Sequence, residues 1–157
     1  MQAIEIAAGR LFAAIGMQDV ADDGAHETDV LCGYIEAGRA WVAERDGAVC
    51  GYALADIVDG TAHLEQVTVH PDHGRQGIGR RLIEAVAGWA ADRGDRSMTL
   101  LTFRDVPWNG PYYRRLGFAD VADGDLGPEL AALRRHEAEL GLDVSIRGAM
   151  RRPVERR

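Results

Sequence analysis

The chain contains no lysine. All 18 residues counted as Lys+Arg are arginine, which excludes a Schiff-base enzyme, a P-loop NTPase and a protein kinase with its phosphate-binding lysine. Serine is scarce too. Only Ser97 and Ser145 occur, and neither sits in a G-x-S-x-G elbow, so that hydrolase class is disfavoured. Cysteine is limited to Cys32 and Cys50, two isolated thiols in a 157-residue chain that is long enough to need no covalent staple. Free, reduced cysteines and a cytoplasmic location are expected. No apolar run approaches the roughly 20 residues of a membrane span, and no signal-peptide pattern is present, so no membrane partner is expected.

What is present is the composition of a soluble globular protein, 46% hydrophobic and 27% charged. The length suits one domain, taken as residues 1–157. A net charge of −7 gives an acidic surface that repels nucleic acid and anionic membranes. The one basic cluster, Arg151, Arg152, Arg156 and Arg157, reads as a frayed, solvated terminus.

Apolar residues recur at helical spacing from Gln2 to Ile15, with Gly16 as the stop, and more weakly from Glu27 to Ala37. The period then changes to two. Strands are expected at Ala40–Glu44, Ala48–Val58 and Ala62–Val69, turned by Asp46-Gly47 and Asp59-Gly60, in an antiparallel meander that His70-Pro71 ends. Ile78, Leu82, Ile83, Val86, Trp89 and Ala90 mark an amphipathic helix closed near Gly94. The nearly continuous apolar run Met98–Phe103 reads as a strand buried inside a sheet. A short helix from Asn109 to Leu116, a strand at Phe118–Val121 and a helix from Pro128 to Leu140 follow. Leu142, Val144, Ile146 and Met150 alternate as a last strand. The fold class read from these elements is α+β with a mixed sheet.

The stretch His63–Val86, HLEQVTVHPDHGRQGIGRRLIEAV, carries the chemistry. A strand runs through Gly74-Arg75-Gln76-Gly77-Ile78-Gly79-Arg80 straight into a helix. Three glycines permit close backbone approach, and the first-turn amides present the positive end of the helix dipole. Such a loop cradles a pyrophosphate with backbone alone, and Arg75, Arg80 and Arg81 add cations beside it. A dinucleotide site of the Rossmann type is disfavoured, because Leu82 stands where the third glycine of G-x-G-x-x-G belongs. The second informative stretch is Arg104–Phe118, RDVPWNGPYYRRLGF, a short helix with paired tyrosines after the buried strand.

Together the two stretches resemble the GNAT superfamily of acyl-CoA N-acyltransferases. Gly77-Ile78-Gly79 matches the glycine pair of its acetyl-CoA motif, and Tyr113 begins the later Y-x-x-x-G-F. The element order matches over almost the whole chain, and the resemblance implies a mostly antiparallel sheet flanked by helices in three α/β/α layers. The resemblance implies an acetyl-CoA-dependent N-acetyltransferase that transfers directly, in a ternary complex, to a small-molecule or peptide amine. The alternative is a non-catalytic acyl-CoA-binding or regulatory module on the same fold. By the resemblance, the backbone of Val67, Thr68 and Val69 contacts pantetheine, and the amides from Arg75 through Gln76, Gly77, Ile78 and Gly79 to Arg80 hold the pyrophosphate. Tyr113 protonates the departing CoA thiolate, and Asn109 caps its helix or contacts the cofactor. A homodimer is compatible with the sequence.

The chain departs from the family pattern in three places. Gly74 stands where the motif has arginine or glutamine, Val106 where an asparagine often precedes the tyrosine, and the sequence starts almost inside the first helix, so that the family's first strand is either missing or ahead of Met1. An ammonium must lose a proton before it attacks a thioester. Glu65 is the expected base, on one strand face with Val67 and Val69, where apolar neighbours raise a carboxyl pKa; Asp105 is second. His63, on the same face, tunes Glu65 or joins its proton path. His70-x-x-His73 has no third ligand at workable spacing, so no metal is expected. Trp41, Trp89 and Trp108 read as core or rim aromatics, and Trp108 and Tyr112 as packing residues or as lining of an acceptor pocket.

Overall fold

A computed structural model describes residues 1–155, which form two compact units. The first comprises Met1–Ala55 and Gln66–Val86, and the second Asp56–Glu65 with the chain from Ala87 onward. The elements are α1 (Gln2–Ala13), α2 (Gln18–Ala21), α3 (Thr28–Glu36), β1 (Ala40–Arg45), β2 (Ala48–Val58), β3 (Thr61–Val69), α4 (Ile78–Arg93), β4 (Ser97–Phe103), α5 (Gly110–Arg115), β5 (Ala119–Val121), α6 (Pro128–Glu139) and β6 (Arg147–Pro153). The six strands form a mixed, mostly antiparallel sheet of order β1-β2-β3-β4-β6-β5, and β2 and β3 run through both units. The first element of the described residues is α1, and β1 is an edge of the sheet.

In the first unit, Ile4, Leu31, Tyr52 and Leu54 are buried together, with Met1, Tyr34 and Ala40 packed against them. Ile4 of α1, Leu31 of α3 and Tyr52 and Leu54 of β2 supply this cluster, while Leu11 and Ile15 near the end of the α1 run and Val30 and Ile35 of α3 stay exposed, and β2 is buried as a continuous run rather than alternately. The β1–β2 hairpin turns on Asp46 and Gly47, both at positive φ, the conformation a two-residue hairpin of this hand requires. Gly51 on β2 is demanded by packing. A Cβ there would lie 3.0 Å from the Thr68 carbonyl oxygen and 3.3 Å from Ile78 and Leu82 on α4.

In the second unit, β4 pairs with β6 antiparallel from Ser97↔Pro153 to Phe103↔Arg147, and β6 pairs with β5. The parallel β3–β4 ladder is short, from Ala62↔Met98 to Leu64↔Leu100. The cluster of Val58, Leu130 and Ala149, with Leu101 and Leu133, docks α6. Asp59, in the turn between β2 and β3, accepts from the Glu129 and Leu130 amides at 2.8 and 3.0 Å and so caps α6, whose own N-cap residue is Gly127. Glu129 accepts from the Asp59 amide in return.

Three sequence expectations need correction. The last strand begins at Arg147, because Leu142–Ile146 is taken up by a turn in which the Ser145 amide and hydroxyl both donate to Asp143 (3.0 and 2.5 Å). Arg151 and Arg152 belong to that strand rather than to a frayed tail, paired with Thr99 and Met98. Arg152 is buried, its guanidinium over the Phe118 ring, its stem beside Gly117 and its head donating to the Leu116 carbonyl at the end of α5. Arg156 and Arg157 lie outside the described residues. Finally, α2 carries no apolar period and was not expected; a Gln18–Asp22 hydrogen bond of 2.8 Å spans it.

Candidate functional site

The sequence-derived site residues fall into two groups, one in each unit. In the first unit, β3 delivers Val67, Thr68 and Val69 to a tight connection. Thr68 is buried and its two neighbours are half-buried. His70 accepts from the Asp72 amide at 3.2 Å, capping the short 3₁₀ turn Pro71–His73, and the chain then opens into Gly74–Gly77, all exposed. Arg75 sits at φ 58 and Gly77 at φ 73. The left-handed region costs a side-chain-bearing residue roughly 1 kcal/mol, and such outliers cluster where backbone geometry serves a ligand.

Ile78 and Leu82, both buried, anchor the first turn of α4. The first intrahelical bond runs from the Arg81 amide to the Gly77 carbonyl, 3.1 Å. The Ile78, Gly79 and Arg80 amides therefore precede the ladder and lack an acceptor within the helix. A Cβ placed on Gly77 would meet nothing within 4 Å, so the loop stands open. Arg75, Arg80 and Arg81 are exposed and form no ion pair with any described residue. Backbone donors, a helix N-terminus and unneutralised guanidiniums suit the pyrophosphate of a CoA ester.

A polar network behind this strand was not anticipated. Gln66 donates to the Thr68 hydroxyl at 2.6 Å, Thr68 hydrogen-bonds Tyr52, and the wholly buried Tyr52 donates to Glu5 at 2.7 Å. Glu5 also accepts from the His26 amide and pairs with its ring at 3.1 and 2.8 Å. Burial and the Glu5 contact push the Tyr52 phenol far above its ordinary range. Burial works to raise the Glu5 carboxyl, but the hydrogen bonds from His26 and Tyr52 outweigh it and hold Glu5 below its ordinary value. The sequence carried no signal for this network, because Glu5, His26, Tyr52 and Thr68 share no local motif.

In the second unit, His63 on β3 is 2% exposed. Its Nδ1 lies 2.8 Å from the Thr99 hydroxyl, and its Nε2 lies 3.7 Å from a Glu65 carboxylate oxygen. Burial lowers the imidazole pKa to about 4, against an opposing effect of the Asp56 charge. Glu65 shares His63's face, as alternation predicted. Its side chain is 35% exposed beside an imidazole, however, which replaces the apolar surroundings expected for it. Asp105 is exposed.

Tyr113 on α5 is 8% exposed, its ring packed on Tyr112 and Phe118 at 5.6 and 5.7 Å. Burial, with Tyr112 adding to it, raises the phenol well above its ordinary pKa, and Arg147 opposes the shift. The phenol is thus protonated at neutral pH. Its hydroxyl neither donates to nor accepts from any described residue. Asn109 stands at the N-cap position of α5, but its side chain caps nothing; its Oδ1 is buried and makes no hydrogen bond with a described residue. Of the two roles expected for Asn109, the side-chain cap is absent. Gly110 is obligatory, since a Cβ there would lie 2.1 Å from the Arg104 carbonyl oxygen. Among the described residues, no group of three or more His, Cys, Asp or Glu side chains is arranged to hold a metal ion.

Comparison with known proteins gives the family and the fold. The sequence matches the acetyltransferase (GNAT) family over residues 10–118, more than half of the chain. The fold superposes on N-acetylglutamate synthase from Neisseria gonorrhoeae, solved with coenzyme A and N-acetyl-glutamate, at a TM-score of 0.71 and 17% identity. That similarity covers 98% of this chain but only 32% of the Neisseria enzyme, so the chain spans about a third of that protein's length. A GNAT-family acetyltransferase from Staphylococcus aureus Mu50 gives 0.69 at 16% identity, covering 98% of this chain and 92% of its own. Nourseothricin acetyltransferase gives 0.57 at 25%, covering 74% and 65%. The glycine loop before α4, the Tyr113 helix and the family match together show that the chain belongs to the GNAT acetyltransferase family.

Proposed function

We propose that this chain, residues 1–157 acting as one domain, is an acetyl-CoA-dependent N-acetyltransferase whose acceptor is a small-molecule or peptide primary amine. The observation that carries the proposal is the open Gly74–Gly79 loop, with its uncommitted α4 amides and three exposed arginines that form no ion pair among the described residues. Acetyl-CoA supplies a thioester already activated toward amines. The backbone of Val67, Thr68 and Val69 holds the pantetheine arm and polarises the thioester carbonyl. Arg75, Gln76, Gly77, Ile78, Gly79 and Arg80 bind the pyrophosphate, and the Asn109 carboxamide completes the cofactor contacts.

Glu65 takes the proton from the amine, directly or through water, as its nitrogen bonds to the carbonyl carbon. The C–S bond then breaks, and Tyr113 gives its proton to the departing thiolate. The free thiols of Cys32 and Cys50 suit a reducing, cytoplasmic compartment, and no helix among the described residues is long and apolar enough to cross a membrane.

The test pairs calorimetry with a free-thiol release assay across amino acids, polyamines, aminoglycosides and peptide N-termini. Wild type should bind acetyl-CoA and release CoA thiol with at least one acceptor. Tyr113→Phe should bind acetyl-CoA with unchanged Kd and turn over at least about 10²-fold more slowly. Binding without thiol release from any amine would make the chain an acyl-CoA-binding module. No binding at all would overturn both readings.

A further inference from the structure

We propose that His63 is the positioning residue for Glu65: anchored on Nδ1 by the Thr99 hydroxyl, its imidazole directs an Nε2–H toward the Glu65 carboxylate and orients it. The inference rests on Glu65 as the base of the proposed reaction and deepens that reading. His63 pairs in register with Thr99, Leu64↔Leu100 is the last pair of the parallel ladder, and Glu65 is the next residue of β3. The imidazole thus sits where β3 leaves its pairing with β4, tied to β4 on one side and facing Glu65 on the other.

The tautomer follows from the two neighbours. An ionised carboxylate only accepts, so the nitrogen facing Glu65 carries the proton, and Nδ1 must then accept from Thr99, whose hydroxyl can donate. The ring stays neutral across the working pH range, because burial lowers its pKa to about 4. The charged groups bearing on it are Asp56 from β2 and Glu65 from β3; β4 presents the uncharged Thr99, whose cross-strand partner on β6 is Arg151. A neutral donor suits this task. A cation there would stabilise the carboxylate strongly and blunt it as a base, whereas an imidazole N–H fixes its direction at little cost in basicity. At 3.7 Å the contact is longer than a hydrogen bond, and it must shorten when Glu65 acts.

Nitrogen-15 NMR of His63 between pH 6 and 8 should show the Nε2–H tautomer. Thr99→Val, which keeps shape and removes the donor, should shift the ring toward a tautomer mixture. His63→Phe should lower kcat about tenfold with KM for acetyl-CoA unchanged, and should move the acid limb of the pH–rate profile to higher pH, since the carboxylate loses a donor. His63→Gln, which retains an N–H, should restore part of kcat. Carbon-13 titration of the Glu65 carboxyl in wild type, His63→Phe and Thr99→Val reads the coupling without turnover. If Glu65→Gln keeps full activity, the base assignment fails, and this titration still decides the positional claim. An Nδ1–H tautomer, or a Glu65 titration that neither variant moves, overturns it.

Discussion

His63 also makes a quantitative statement about stability. Its folded pKa of about 4 lies below the ordinary 6.5 because the ring is buried. The unfolded chain therefore takes up a proton as pH falls through 6.5, while the folded chain does not until pH approaches 4. Protons bind the unfolded state in excess over that window, so folding stability is present above pH 6.5, is lost toward pH 4 and levels off below it. With those two values, linkage costs about 2 kcal/mol by pH 5 and about 3 kcal/mol by pH 4. That is a sizeable fraction of the 5–15 kcal/mol typical of a domain. The assay is urea unfolding followed by tryptophan fluorescence at pH 7.5, 5 and 4. Glu5, held below its ordinary value by His26 and Tyr52, loses stability in the same direction, so the His63 share must be isolated by difference. His63→Gln, which cannot titrate, should show a drop between pH 7.5 and pH 4 smaller than wild type's by about 3 kcal/mol. Equal drops in the two proteins would refute the buried, neutral imidazole.

Asp59→Ala removes two carboxylate–amide bonds at the start of α6 and should cost about 1–2 kcal/mol in urea unfolding; a loss of only a few tenths would dismiss Asp59 as the cap. Gly77→Ala meets no neighbour but places a Cβ at φ 73, so it should lower stability by roughly 1 kcal/mol. Calorimetry should show it weakening acetyl-CoA binding severalfold, and an unchanged Kd would argue against the loop as the pyrophosphate cradle. Tyr52→Phe and Glu5→Gln should each destabilise by about 1–3 kcal/mol, and the double variant by clearly less than the sum, because they remove one shared bond. Strict additivity would break the proposed chain from His26 to Thr68.

The parts of this protein that were legible in its sequence are those where a local rule suffices. Asp46-Gly47 and Asp59-Gly60 put positive φ at residues that tolerate it, so both hairpins could be placed from the dipeptide. The glycine loop before Ile78 and the Y-x-x-x-G-F run of Tyr113 were visible because closely spaced glycines and a short helix ended by Gly117 at positive φ leave fixed spacings. Errors arose where side chains act across distance. The alternation Leu142, Val144, Ile146 mimics a strand, yet Asp143 and Ser145 compete for the same backbone and win as a turn. Arg152 looked like tail charge because nothing nearby in sequence announces Phe118 as its platform. The capping role of Asp59 spans 70 residues, and Thr99 became a partner of His63 only through parallel pairing. Alternation did place Glu65 beside His63, but burial of the ring and exposure of the carboxylate are tertiary facts.

The missing lysine can now be read positively. A protein with only arginine for cations must use it both to build structure and to hold anions, and the two tasks are separable here. Arg93 with Asp95, Arg114 with Asp120, Arg134 with Asp123 and Arg147 with Glu137 are spent on ion pairs within the second unit. Arg75, Arg80 and Arg81, around the loop before α4, are exposed and pair with no described carboxylate. In a chain of net charge −7, Arg75 in the loop and Arg80 and Arg81 in the first turn of α4 form a local cationic patch, the feature that attracts a polyanion to an otherwise acidic surface. Guanidinium keeps its proton under all working conditions and meets phosphate oxygens in a bidentate fork, so such a cradle holds its charge whatever the pH does to His63 or Glu65. The same composition bears on the proposed reaction: if it occurs, a chain whose side chains include no primary amine offers itself no side-chain acceptor.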